Sequence, residues 1–175
     1  MDTLYNPRHL ALSNIEAKEK SPMEKIKVLL VDDEEEFVKS LSERLQMREL
    51  DSELAFNGEQ ALQVVQDEVP DVMVLDLRMP GIDGMEVLRR VKKSYPKVQV
   101  IILTGHGTDK DEKQARKLGA FAYLQKPVDL DHLVEIMKKA YKTKFESTMA
   151  AAAFAEAGEF ETARQIRDSA EEKKK

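Results

Sequence analysis

Cysteine is absent from the 175-residue chain. That removes disulfides and thiol chemistry and suits a reducing compartment, so a cytoplasmic location is expected. Long apolar runs are missing too. No stretch approaches the ~20 residues that span a bilayer, and the N-terminus lacks the apolar core of a signal peptide. No membrane contact is expected. Positive charge is not in excess: 28 Lys and Arg face 33 Asp and Glu, for a formal net charge of −5. This argues against a strong nucleic-acid-binding surface of the chain's own.

What is present is an ordinary apolar content of 42%, enough for one domain of ~100–150 residues with appendages. Residues 1–24 read as a tail, because Asn6-Pro7-Arg8, a charged stretch and Ser21-Pro22 leave too little apolar surface to fold alone. Residues 25–142 alternate two patterns. Short runs at 26–31, 52–56, 71–76, 98–103 and 120–124 are mostly rich in Val, Ile, Leu or Phe, as strands covered on both faces should be. Helical patterns with start and stop signals lie between them. Asn57 precedes Ala61, Leu62, Val64 and Val65. Asp83 and Glu86 have capping-box spacing, as do Asp109 and Glu112, and Leu118-Gly119 reads as a stop. From about residue 129, Leu130, Leu133, Val134, Met137 and Tyr141 share a helix face. Five such units predict an α/β fold, a doubly wound five-stranded parallel sheet with helices on both sides. The expected strand order is 2-1-3-4-5, a common order for such sheets, and ligands bind where it reverses.

The strand ends carry the chemistry. Val28-Leu29-Leu30-Val31 ends in Asp32 and Asp33, Val72-Met73-Val74-Leu75 in Asp76, Val100-Ile101-Ile102-Leu103 in Thr104, and Phe121-Ala122-Tyr123-Leu124 runs toward Lys126-Pro127. A parallel sheet brings these ends to one edge. Three carboxylates in one crevice need a compensating charge, and a hard divalent cation such as Mg²⁺ supplies it through oxygen ligands. Asp76 is then placed to act as a nucleophile toward a phosphoryl donor, with Lys126 and Thr104 stabilising the transferring group. Each residue alone has a plainer reading. Asp32 and Asp33 also suit a helix cap, Asp76 a turn, and Thr104 a strand end; the joint order favours the site.

This pattern resembles the receiver domain of two-component response regulators, whose fold is flavodoxin-like. The likeness spans about 25–142 and rests on Asp32-Asp33, Asp76, Thr104, Tyr123 and Lys126-Pro127 in the family's order. It implies phosphorylation of Asp76, Mg²⁺ ligation by Asp33, Asp76 and the Arg78 carbonyl with Asp32 helping through water, and a cis Lys126-Pro127 peptide. It also implies a switch in which Thr104 moves toward the phosphoryl group and Tyr123 moves inward. Thr104-Gly105-His106-Gly107 looks most like regulators of the nitrogen-control type. His106 falls at a rim position that tunes dephosphorylation in the family.

No proline or glycine interrupts 128–157, so the last helix is expected to run past the domain. Residues 143–175 are predicted to form a helical extension broken at Gly158. There Ala151, Phe154, Gly158, Phe160, Ala163 and Ala170 resemble one tetratricopeptide-type helical pair; a surface helical hairpin or a loose tail is the plainer alternative. The reading as a whole is a stand-alone response regulator rather than a conventional enzyme. Its expected partners are a sensor histidine kinase or phosphotransfer protein and an unknown output protein, and it admits a homodimer through the receiver face or the C-terminal helices. The rivals are a phosphorylation-independent pseudo-receiver and a small aspartyl-phosphate phosphatase of the haloacid-dehalogenase type. The latter would need its nucleophile in an Asp-x-Asp arrangement on the first strand, where Asp32-Asp33-Glu34 stands.

Overall fold

A computed structural model describes residues 26–172, with side chains through Glu156 apart from Phe154. The tail reading for 1–24 lies outside the described residues, as do the side chains of Phe154 and Phe160. The elements alternate as β1 (Val28–Val31), α1 (Glu35–Gln46), β2 (Ser52–Ala55), α2 (Gly58–Asp67), β3 (Val72–Leu75), α3 (Gly84–Ser94), β4 (Gln99–Thr104), α4 (Asp109–Lys117), β5 (Ala122–Gln125) and α5 (Leu130–Glu172). The five strands pair in parallel in the order β2-β1-β3-β4-β5, as expected. The order reverses between β1 and β3, where Val31 is in register with Leu75. The residues that follow these two, Asp32 and Asp76, therefore leave the sheet side by side.

Strand alternation divides the core into two layers. Met73 and Leu75 of β3 and Ile102 of β4 pack with Ala61, Val65, Val87, Leu88 and Val91 of α2 and α3. Val72, Val74 and Ile101 point the other way, onto Val38, Leu41 and Leu45 of α1 and Leu133 and Met137 of α5. Both faces of the central strands are covered, which is why their sequences are continuously apolar rather than alternating.

Helix starts follow local chemistry. Asn57 caps α2 by accepting from Gln60 N at 2.8 Å, and Asp83 caps α3 by accepting from Glu86 N at 2.8 Å. The expected Asp109/Glu112 box is shifted by one residue. Thr108 is the cap of α4, its hydroxyl accepting from Asp111 N while Asp111 accepts from Thr108 N at 2.9 Å. Thr108 has the extended backbone that a cap requires, whereas Asp109 is already helical. Gly119 closes α4 in the left-handed region at φ +94°, as Leu118-Gly119 suggests.

The last helix departs most from expectation. It is continuous over 43 residues, about 64 Å at 1.5 Å per residue. The predicted break at Gly158 is not there, and neither is a helical pair. A glycine inside a helix costs only about 1 kcal/mol relative to alanine, and strong helix formers surround this one. Up to Ala140 the helix is buried at Leu130, Leu133, Val134, Met137 and Ala140. Beyond that, Lys144 pairs with Asp71 at 2.6 Å, and Phe145 and Met149 are exposed. Among the described residues, no helix is long and apolar enough to cross a membrane.

Candidate functional site

The backbone places the acidic cluster. Asp32 N donates to Ala55 O at 3.1 Å and Asp76 N to Val31 O at 2.9 Å, so both residues are held by the last rungs of the sheet. Lys126 is held likewise, its N–H donating to Thr104 O at 2.9 Å. The Lys126–Pro127 peptide that follows is cis. Carboxylate oxygens of Asp32, Asp33 and Asp76 lie within 4.8 Å of one another. Asp32 and Asp76 are buried, while Asp33 is exposed at the rim.

Each buried acid has partners, but they do not balance its charge. Asp32 accepts from Glu34 N at 2.9 Å through one oxygen and from Lys126 Nζ at 2.6 Å through the other. Asp76 accepts from Arg78 N at 3.1 Å, and the Thr104 hydroxyl beside it favours its ionised form. Lys126 also donates to Glu34 at 2.9 Å, and its ammonium lies 4.2 Å from the centroid of the Phe37 ring, a cation–π contact. One lysine therefore serves Asp32, Glu34 and, at longer range, Asp76.

The electrostatics record this shortage. Burial pushes the Asp32 carboxyl above its usual value, and the hydrogen bond from Lys126 only partly offsets it. Asp76 is also pushed up, by burial first, with the nearby Asp32 adding to the shift. For Lys126 burial works against the charge, yet hydrogen bonds to Asp32 and Glu34 outweigh it and the pKa rises. An ion pair by itself would draw Asp32 down. Its upward shift means that desolvation dominates, as it does for carboxylates crowded away from water.

Around this cluster, Thr104 is fully buried at the end of β4. His106 is exposed at the rim, and its N–H stands 3.5 Å from Thr104 Oγ1. Gly105 is exposed, and a Cβ there would meet only the Lys126 side chain at ordinary contact distance. The Arg78 side chain crosses to the β4–α4 loop, donating to His106 O at 3.4 Å and to Asp111 at 3.1 Å. Tyr123 is 9% exposed. The sequence reading has this ring moving inward as part of a switch; here it already lies inside. Burial pushes its phenol upward, and Asp111 adds to the effect.

Four contributors were not visible in the sequence. Glu34 competes for Lys126, and Phe37 lies under the ammonium. Gly84 sits where a Cβ would fall 2.0 Å from the Asp76 carbonyl oxygen. The start of α3 can thus approach the Asp76 backbone only without a side chain. Gly107 stands in a similar relation to Tyr123. The Asp83-Gly84 pair was a usable signal, since a glycine directly after a cap often marks a close approach, but it reads equally as a turn.

The donor set fits a hard cation. Asp32, Asp33 and Asp76 offer oxygen only, and the exposed Asp33 accepts no hydrogen bond among the described residues. Mg²⁺ is commonly held in this way, by one or two carboxylates while keeping several waters.

Comparison with known proteins agrees with this geometry. The model of the response regulator receiver domain matches residues 28–138. A putative NtrX-like response regulator of Rickettsia typhi is 36% identical over 120 residues, 67% of this chain and 25% of the relative. The chain thus spans about a quarter of the length of such relatives. Sporulation initiation phosphotransferase F of Bacillus subtilis is 36% identical over 113 residues, 65% of this chain and 91% of that protein. Among solved structures, a response regulator receiver domain from Clostridium thermocellum is 34% identical with a TM-score of 0.66, covering 69% of this chain and 97% of its own. The receiver domain of NtrX from Brucella abortus is 29% identical with a TM-score of 0.63, covering 66% and 98%. Such domains are signalling modules rather than conventional enzymes. With the sheet order, the acidic edge and these matches in agreement, the chain belongs to the response regulator receiver family.

Proposed function

We propose that Asp76 accepts a phosphoryl group from the phosphohistidine of a sensor histidine kinase or phosphotransfer protein. The chain then signals through contacts that depend on that group. The observation that carries this reading is the surplus of carboxylate around a buried Asp76, with one lysine to offset it.

In the transfer, a carboxylate oxygen of Asp76 attacks phosphorus, the P–N bond breaks, and the departing imidazole is protonated. Asp32, Asp33, Asp76 and the Arg78 carbonyl would hold Mg²⁺. The ion supplies neutralisation of charge on the transferring group. Lys126 brings a compact positive charge to the same edge and is anchored there by Asp32. Thr104, fully buried beside Asp76, has a hydroxyl to donate to a phosphoryl oxygen. Movement of Thr104 would then bias Tyr123 and the surface around β4 and β5 between two states. His106 lines the rim, where it would influence the entry of water to the phosphorylated site. Gly105 leaves the Lys126 side chain room beside it, and Pro127 follows the lysine in the chain.

Output is proposed to be protein–protein contact by a stand-alone regulator. Support comes from the 91% coverage of the sporulation phosphotransferase by this chain. Residues 25–142 serve as the receiver, and 143–175 as an extension whose helical part, through Glu172, presents Phe145 and Met149. A homodimer through this helix would cover those exposed side chains; one through the receiver face is the alternative.

The test is intact mass after incubation with acetyl phosphate and Mg²⁺. The wild-type chain should gain one phosphoryl group and Asp76→Asn none. A phosphoryl group on the variant would remove Asp76 as the acceptor.

A further inference from the structure

Tyr123 carries its hydroxyl into the interior of the domain. Its oxygen is buried and, among the described residues, has no hydrogen-bond partner. An unsatisfied buried polar group offsets part of what burying a large apolar side chain contributes, so the interior position of this ring is preferred over one in water by a reduced margin.

What admits the ring is Gly107, in the loop between β4 and α4. A Cβ on Gly107 would lie 1.7 Å from the Tyr123 hydroxyl oxygen, 2.8 Å from its Cζ and 2.8 Å from Thr104 Cγ2. No carbon fits at 1.7 Å from an oxygen to which it is not bonded. The backbone does not require glycine here. Gly81 and Gly119 have positive φ, whereas Gly107 does not. The absent side chain is therefore a matter of space, not of conformation.

We propose that Gly107 is the seat of Tyr123: the missing side chain holds open an interior position, and the ring occupies it by a reduced margin because its hydroxyl has no partner there among the described residues. Any side chain at 107 closes the seat and drives the ring outward. The atom that would strike the ring would also press on the Thr104 methyl, so one position touches both residues assigned to the switch. The signalling use of the seat rests on the phosphoacceptor reading above; its existence does not.

The experiment uses the full chain and tyrosine nitration by tetranitromethane, mapped by peptide mass. Tyr95 and Tyr141, both half-buried, serve as references within the same molecule. In the wild-type chain, Tyr123 should be nitrated slowest of the three. In Gly107→Ala its rate, relative to Tyr141, should rise by about tenfold or more, as the population moves outward. An unchanged, slow rate in a folded Gly107→Ala variant would overturn the proposal, since the loop would then have made room. Should Gly107→Ala fail to fold, Gly107→Ala combined with Tyr123→Ala should fold, because the clash is gone; failure of that pair also overturns the proposal. Acetyl phosphate labelling runs alongside on the wild-type chain. Its absence there counts against the phosphoacceptor reading, while nitration alone decides the seat.

Discussion

The two edges of the sheet each carry a short lysine–aspartate pair, and the pairs differ in what surrounds them. At the edge where strands begin, Lys144 of α5 meets Asp71 at 2.6 Å, and Asp71 also accepts from Lys27 N at 3.0 Å. Lys27 in turn pairs with Glu68. Each of these two lysines has an acid of its own, and both members of the Lys144–Asp71 pair are 19% exposed. At the edge where strands end, Lys126 meets Asp32 at the same 2.6 Å, with side chains 14% and 4% exposed. There one lysine faces Asp32, Asp33, Glu34 and Asp76, and both buried acids are pushed upward. The difference is not in the individual bond. A balanced pair docks a helix, whereas an unbalanced cluster is poised to take up positive charge or a phosphoryl group.

The sharpest way to break this contrast is to remove each lysine. Lys126→Ala leaves Asp32 buried without its cation and should destabilise the domain by about 3 kcal/mol, measured by urea denaturation. It should also sharply reduce labelling of Asp76 by acetyl phosphate. Undiminished labelling would show that Lys126 does not serve the transfer.

The surplus charge can be tested from the other side. Mg²⁺ should raise the melting temperature of the wild-type chain, and Asp33→Ala should weaken that binding by about tenfold, or 1.4 kcal/mol. Equal Mg²⁺ titrations for the two proteins would contradict the assignment of Asp33.

Lys144→Ala should cost about 1 kcal/mol, the upper range for a partly exposed pair, and leave labelling of Asp76 unchanged. A loss of labelling would mean that the two edges are coupled.

The smallest expected effect is a gain. Asp76 has a raised pKa in the folded chain, so ionising it works against folding. The stability present while it is protonated is lost as pH rises from the ordinary carboxylate value through the folded one. Without Mg²⁺, Asp76→Asn should therefore melt higher at pH 7, by about 2 °C. The gain should shrink as pH falls and the wild-type carboxyl takes up its proton. An unchanged or lower melting temperature at pH 7 would remove charge crowding as the description of this edge.

Much of this molecule was legible before folding was considered. Continuous apolar runs ending in Asp32, Asp76 and Thr104 announced buried parallel strands, because only strands covered on both faces need no polar alternation. Asn57, Asp83 and Gly119 marked helix ends through hydrogen-bonding and backbone preferences that act within a few residues. Where two adjacent residues both suited a cap, as at Thr108 and Asp109, local preference could not choose, and the chain's exit from β4 did. At Gly158 a weak local breaker was outvoted by its neighbours.

The sequence by itself determined the class of fold, the order of the acids and the lysine along the chain, and the existence of an acidic edge, since each follows from periodicity and from how short strands must pack. Only the tertiary structure decided that Lys126 divides itself between Asp32 and Glu34 above Phe37, that Gly84 and Gly107 are needed for space, and that Tyr123 lies inside with its hydroxyl unpaired among the described residues. The physical reason is one of range. Secondary structure and patterning are set by neighbours in sequence, whereas desolvation, charge balance and contacts of 2–3 Å depend on residues as far apart as Asp32 and Lys126, which meet only when the sheet is assembled.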